Sequence, residues 1–330
     1  AGLHNLKNID VRFGLKAFNC VSGVSGSGKS SLVEGVLLPA VQALLKEKYL
    51  ERAGVSVRGV RHAEKLESVV VVDQSPIGRT PRSNPVTYIK AFDGVRKLFA
   101  GTKAAKKERL TAGDFSFNTP GGRCEICKGS GCELIELQFM ADVTVPCEAC
   151  GGRRYNKRAL QVSYRGKRID QVLDMTVNEA ISFFHGHTGT SKPLWLLQSV
   201  GLGYLRLGQS ATTLSAGESQ RLKIARQLAE GGSSAKGRRG SLYILDEPTT
   251  GLHSAEVKKL LWVLDRLVDS GGTVVVVEHH PEVIAHSDWV VDLGPEGGEA
   301  GGEVVFQGPP EKLAACTMSH TGAMLRELTT

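Results

Sequence analysis

No long hydrophobic run occurs in this chain. Its longest purely apolar stretches, such as Val274–Val277, are short and bounded by charge or glycine. They fall well under the roughly 20 residues that a helix needs to cross a bilayer, so no membrane span is expected. No secretory leader precedes them, which points to a reducing, cytoplasmic compartment. An opening methionine is missing too, and Ala1 stands only some twenty residues before the first functional motif. The expectation is therefore a C-terminal fragment of a longer parent. With 330 residues, 41% of them hydrophobic, the chain can bury a sizeable core in one large or two ordinary domains.

What the chain has is a phosphate-binding loop, Gly23-Val24-Ser25-Gly26-Ser27-Gly28-Lys29-Ser30, with Ser31 next. The spacing makes a tight turn whose N–H groups point at the phosphates of a nucleoside triphosphate. Lys29 reaches the terminal phosphates, and the Ser30 hydroxyl is a ligand for Mg²⁺. A helix following the loop would add its positive end. Downstream, Ser241-Leu242-Tyr243-Ile244-Leu245-Asp246-Glu247 reads as a buried parallel strand ending in two carboxylates. Asp246 would support Mg²⁺, and Glu247 is the candidate general base for an attacking water.

Between them lies Leu214-Ser215-Ala216-Gly217-Glu218-Ser219-Gln220, followed by the helical pattern Leu222, Ile224, Ala225 and Leu228. Ser215 and Glu218 form a capping box. Together with the phosphate loop, this stretch resembles the signature of ATP-binding-cassette (ABC) ATPases, with Ala216 where that family usually has glycine. The resemblance implies that Ser215 and Gly217 contact a γ-phosphate held by a different P-loop across a dimer, a role that a positive helix end suits. Further positions then match in order. Gln74 follows the strand Val69–Asp73 as a Q-loop residue and Mg²⁺ ligand, Gly251-Leu252-His253 form a D-loop, and His279 follows Thr273–Glu278 as the switch histidine. His280 is the alternative to His279.

Seven cysteines are an odd number, and four fall as Cys124-x2-Cys127 and Cys147-x2-Cys150, nineteen residues apart. Each pair puts two thiolates on one turn next to glycines, Gly129 and Gly131 after the first and Gly151 and Gly152 after the second. That is the spacing of a closed four-cysteine zinc site, architectural rather than catalytic. Cys132 reads as a spare, and Cys20 and Cys316 as ordinary residues. Between the knuckles, residues 133–145 alternate loosely around a turn-capable centre, a hairpin held at its base by metal. Phe139 and Met140 near its tip are either core or wedges against stacked bases.

Charge is concentrated in the same region. Residues 96–168 carry 15 Lys/Arg against 7 Asp/Glu, an excess of 8 where the whole chain has +7. Widening the window to 93–170 adds Asp93 and Asp170 and leaves the sign unchanged. Arg123, Lys128, Arg153, Arg154, Lys157 and Arg158 flank the knuckles, where a rigid scaffold could present them to the phosphates of a polyanion.

The P-loop, the run Asp73-Gln74-Ser75-Pro76-Ile77-Gly78-Arg79-Thr80-Pro81-Arg82-Ser83-Asn84-Pro85, the approach from Phe115 to Arg123, both knuckles and Asp246–His253 together resemble the UvrA family, the damage-sensing ATPases of bacterial nucleotide excision repair. The resemblance covers nearly the whole chain and is closest to the second of the two ATPase modules of such proteins. It implies an α/β fold, an ABC-type ATPase core with a parallel sheet. An insertion carrying the four-cysteine module and contacting DNA would interrupt that core. The expected domains are 1–87 with the P-loop and Q-loop, 88–210 as the inserted domain, and 211–330 with the signature helix and second part of the core.

Gly231–Gly240 would be a mobile loop, and Gly294–Gly302 the turn before a last strand. The cofactors implied are ATP, Mg²⁺ and Zn²⁺. The partners implied are double-stranded DNA, damaged by preference, a UvrB-type helicase, and a second copy joined through the ATPase modules. Nuclease activity would belong to other subunits. Two alternatives stay open, a UvrA-like paralogue that protects against DNA-binding drugs and a transporter-type ABC ATPase.

Overall fold

Runs of consecutive apolar residues build one sheet because its central strands are covered on both faces. The computed structural model describes residues 2–46, 57, 59–78, 80–135, 143–231 and 240–329. Its strands are β1 (Phe18–Gly23), β2 (Ser68–Val72), β3 (Cys132–Ile135), β4 (Val143–Pro146), β5 (Ser163–Tyr164), β6 (Lys167–Arg168), β7 (Ser241–Asp246), β8 (Thr273–Val277), β9 (Trp289–Gly294) and β10 (Glu303–Gly308). The main sheet runs β10-β9-β1-β8-β7-β2. Neighbours are parallel except β10, which pairs antiparallel with β9 at one edge. Every residue of β8 is buried, and so are the first five of β1 and of β7.

Alternate residues along a strand serve opposite faces. Val21 and Val291 join the cluster formed with Leu32, Val33 and Val36. Their neighbours Cys20 and Val290 join Ile284, Leu313 and Leu325. The helical segment that follows the P-loop is not uniform. Lys29–Leu32 passes through a π-helical turn at Val33–Leu37 into Leu38–Leu45. Pro39, at the start of that last piece, has no N–H to give an α-helical bond, which favours a wider turn before it. A helix at Ser254–Asp269 buries Val257, Leu260, Leu261, Leu264 and Leu267 at helical spacing.

The chain divides into two compact units, Ala1–Gln74 with Glu230–Thr330, and Ser75–Ala229. Compared with the expected boundaries at 87/88 and 210/211, this groups residues 75–87 and 211–229 with the insertion. The contacts explain it. Lys223 Nζ donates to the carbonyl and hydroxyl of Ser75, both at 2.8 Å. The Ala211 N–H donates to Ser83 O at 2.7 Å, and the Arg226 guanidinium lies 4.7 Å from the Tyr88 ring centroid.

The second unit is short helices around an aromatic core of Phe92, Phe99, Phe115, Phe117, Tyr155 and Phe184. On it sits the β3–β4 hairpin, antiparallel with Cys132 opposite Pro146 and Ile135 opposite Val143. Its tip, with Phe139 and Met140, lies outside the described residues, as do Arg79 and 232–239 of the glycine-rich loop.

In the first unit a buried carboxylate ties β9 to the C-terminal segment. Asp292 accepts from Ser22 Oγ at 2.7 Å, Ser319 Oγ at 2.5 Å and Thr321 Oγ1 at 2.7 Å. Asp292→Ala strands three buried hydroxyls and is expected to cost about 3 kcal/mol, read as a lowered urea midpoint. A shift corresponding to under about 1 kcal/mol would show that the network is not stabilising.

Candidate functional site

The loop leaving β1 turns on three glycines in the left-handed region, Gly23, Gly26 and Gly28, with φ of 132°, 76° and 105°. A side chain at Gly23 would be impossible in place, since a Cβ there would lie 2.1 Å from Leu293 O. Lys29 opens the following helix and folds back, its Nζ donating to Gly23 O at 2.8 Å and Val24 O at 2.9 Å. Burial pushes its pKa down, opposed by the carboxylates of Glu247, Asp292 and Asp246. Ser25 and Ser30 are exposed and Ser31 half-buried, whereas Ser27 is buried with its Oγ unpartnered.

The loop is held from outside by the 298–302 turn. Gly298 N–H donates to Gly26 O at 3.1 Å and Gly302 N–H to Ser27 O at 3.1 Å. Asn5 bridges the two segments, its Nδ2 donating to Gly26 O at 3.0 Å and Gly298 O at 3.1 Å.

Because β7 lies beside β8, the carboxylates at the end of β7 meet the residues that follow β8. Asp246 opposes Val277, and Glu247, at φ 41°, donates its N–H to Val277 O at 2.9 Å. Desolvation raises the Asp246 pKa, and so do Glu34, Glu247 and Glu278, against the lowering effect of Lys29. Gln74 Nε2 reaches Asp246 O at 3.5 Å. Of the two histidines, His279 faces Glu247, with Nδ1 3.8 Å from Oε1. His280 caps the helix Pro281–His286, and its Nδ1 is buried. Gly251, at φ 75°, turns the chain toward His253, whose N–H is capped by Glu256 Oε2 at 3.3 Å.

Glu278 was legible only as the end of a strand, yet it organises this region. Its carboxylate is fully buried. Oε1 accepts from the Thr249 N–H at 2.9 Å and from the Thr249 hydroxyl. Oε2 accepts from the N–H groups of His279 at 2.9 Å and His280 at 3.1 Å. A charged residue directly after a buried, valine-rich strand is the one signal that could have marked it. Asn5 carried no signal at all.

In the second unit, Ser215 and Glu218 make the expected reciprocal cap. Ser215 N–H donates to Glu218 Oε2 at 2.7 Å, and Glu218 N–H to Ser215 Oγ at 3.2 Å. The helix Ala216–Gly231 follows, with Gly217 in its first turn. The Tyr204 hydroxyl donates to the same carboxylate.

All four thiols of Cys124, Cys127, Cys147 and Cys150 are buried, and their sulfurs lie within 4.8 Å of one another. Cys127 and Cys150 Sγ are 3.8 Å apart, which matches the edge of a tetrahedron with metal–sulfur bonds of about 2.3 Å. Of the flanking basic residues, Lys128, Arg153, Lys157 and Arg158 are exposed, and Arg123 pairs with Glu125 at 3.1 Å. Arg154 departs from the expectation of a surface cation. It packs over the Phe117 ring at 5.3 Å, and its Nη2 donates to Gly208 O at 3.0 Å.

Glu278→Gln replaces one carboxylate oxygen by an NH2 group facing N–H donors. The expected result is a loss of about 2 kcal/mol and faster hydrogen exchange at the Thr249 or the His279 and His280 amides. Unchanged exchange at all three would refute the anchoring role.

The chain is 53% identical over 329 residues to the UvrABC system protein A of Methanothermobacter thermautotrophicus and equally to that of Thermus thermophilus. It is 48% identical over 325 residues to that of Escherichia coli. These matches cover 98–99% of this chain but 33–34% of the relatives, so the chain spans about a third of their length. Among solved structures, UvrA2 from Deinococcus radiodurans matches with a TM-score of 0.86 at 50% identity, over 99% of this chain and 38% of that one. No family model matches. With about half its residues identical along nearly its whole length, and the same fold, the chain is similar to a segment of about one third of a UvrA protein.

Proposed function

We propose that this chain is the C-terminal ATPase segment of a UvrA-type protein that recognises DNA damage in nucleotide excision repair. The observation that carries the reading is the insertion itself, a four-cysteine knuckle and hairpin set in a basic region between the Q-loop and the signature helix of an ABC-type core.

ATP would lie in the loop Gly23–Ser31. Burial, and then the carboxylates around Asp246, raise its pKa, and that cluster of carboxylates is a donor set that suits a divalent cation. Ser30, Asp246 and Gln74 would hold Mg²⁺, which when bound supplies charge neutralisation on the phosphates. Glu247 accepts the proton of the attacking water and His279 sits against it. A signature from another module completes the site, while Ser215 and Gly217 of this chain complete a site elsewhere, which makes the ATPase modules the dimer contact. The four buried cysteines fit Zn²⁺, which would fold the knuckles rather than catalyse.

ATP turnover would shift the basic insertions and change their grip on duplex DNA. The lesion is then read through deformability and handed to a UvrB-type helicase in the cytoplasm.

Glu247→Gln is expected to lower ATP hydrolysis by about 10²–10⁴-fold while nucleotide binding persists. Loss of both together would remove Glu247 from the role of base. For the full-length parent, Cys124→Ala with Cys127→Ala should abolish the preference for lesion-bearing over intact duplex and leave ATP binding in place. An intact parent with no lesion preference would favour the drug-protection paralogue, with which Ala216 is compatible.

A further inference from the structure

A cavity of about 310 Å³ opens beside the second cysteine knuckle, far in sequence from the P-loop. Its walls come from the knuckle turn Gly151–Arg154, the helix Ile169–Leu173 with Asp174 after it, and the turn Arg206–Gln209. All of these lie in the second unit.

Three guanidinium groups line the cavity, and each is anchored to a main-chain carbonyl. Arg153 Nε donates to Cys150 O at 2.9 Å, Arg154 Nη2 to Gly208 O at 3.0 Å, and Arg206 Nη1 to Asp174 O at 2.5 Å. Of the two carboxylates in the lining, Asp170 is already neutralised. Arg168 holds it bidentately, with Nε to Oδ1 at 3.0 Å and Nη2 to Oδ2 at 2.9 Å. Asp174 alone opposes three arginines, so the cavity carries a positive excess.

Arg154 adds a second observation. Its Nη1 is buried and has no hydrogen-bond partner, although the Phe117 ring and Gly208 O fix the guanidinium in place. A buried guanidinium N–H left unpaired is costly. The group that satisfies it best is an oxyanion, because planar guanidinium forks match phosphate oxygens. Exposed Gly151, at φ 57°, keeps the rim free of a side chain.

We infer that this cavity is a phosphate-binding site, separate from the nucleotide loop, in which Arg154 and Arg206 are the principal ligands. Its occupant is either a backbone phosphate of a nucleic acid lying on the insertion or a free phosphate monoester. Only the first source rests on the DNA reading above.

The test uses orthophosphate in equilibrium dialysis against the chain carrying Lys29→Ala, which removes the P-loop's own phosphate contact. Saturable binding is expected, weakened about tenfold or more by Arg154→Gln and, separately, by Arg206→Gln. Arg206 is exposed, so that second variant stays informative if Arg154→Gln disturbs the knuckle. In parallel, duplex affinity is measured against salt with Lys29 intact, where losing one phosphate contact lowers the log–log slope by about 0.9.

Displacement of orthophosphate by duplex, with a lowered slope in the variants, identifies a backbone phosphate. Displacement by AMP and not by duplex identifies a free monoester. Orthophosphate binding indifferent to both substitutions, or no binding together with unchanged slopes, overturns the site. A chain that binds no duplex at all would fail the DNA reading and leave the dialysis result decisive.

Discussion

The C-terminal end of β7 and β8 depends on one buried carboxylate. Glu278 accepts four hydrogen bonds, two from Thr249 in the turn after β7 and two from the N–H groups of His279 and His280 after β8. A fully buried carboxylate is tolerable only when its oxygens are saturated by donors. That condition obliges the two turns to keep a fixed spacing, and the spacing sets His279 against Glu247. Parallel pairing of β7 with β8 brings the turns close, and Glu278 locks them.

The P-loop is held by a different device. The glycine turns of the P-loop have few side chains to pack, so the loop is fixed through its carbonyls. Gly298, Gly302 and Asn5 supply the donors. Lys29 makes its own bonds to Gly23 and Val24 and so keeps its ammonium satisfied within a desolvated cradle. The cation and the Asp246 carboxylate oppose each other's pKa shifts.

The second unit solves its own problem, which is to mount a small cysteine module too short to bury a core of its own. Cys124 N–H bonds to Arg154 O at 2.8 Å, and the adjacent Tyr155 is buried with its hydroxyl on Phe115 O at 3.1 Å. The knuckles are thereby seated on aromatic packing. That seating draws Arg154 inward and separates it from Lys128, Arg153, Lys157 and Arg158, which stay exposed. One stretch of basic sequence thus has two fates, a solvated face and a buried guanidinium.

The local features were legible in the sequence. A phosphate cradle, a capped helix start and a pair of Cys-x2-Cys turns are each set by residues a few positions apart, so spacing alone specifies them. The buried parallel strands were equally plain, because burial on both faces leaves a continuous apolar run. The π-helical turn ahead of Pro39 was not legible, since the pattern of apolar residues does not report a wide turn. What only the tertiary structure decided are the relations between distant segments. The placing of His279 against Glu247, the anchoring by Glu278, the clamp by Asn5 and the inward turn of Arg154 all follow from strand register and from which groups burial leaves without water. Sequence spacing carries no information on either until the sheet and the aromatic core have formed.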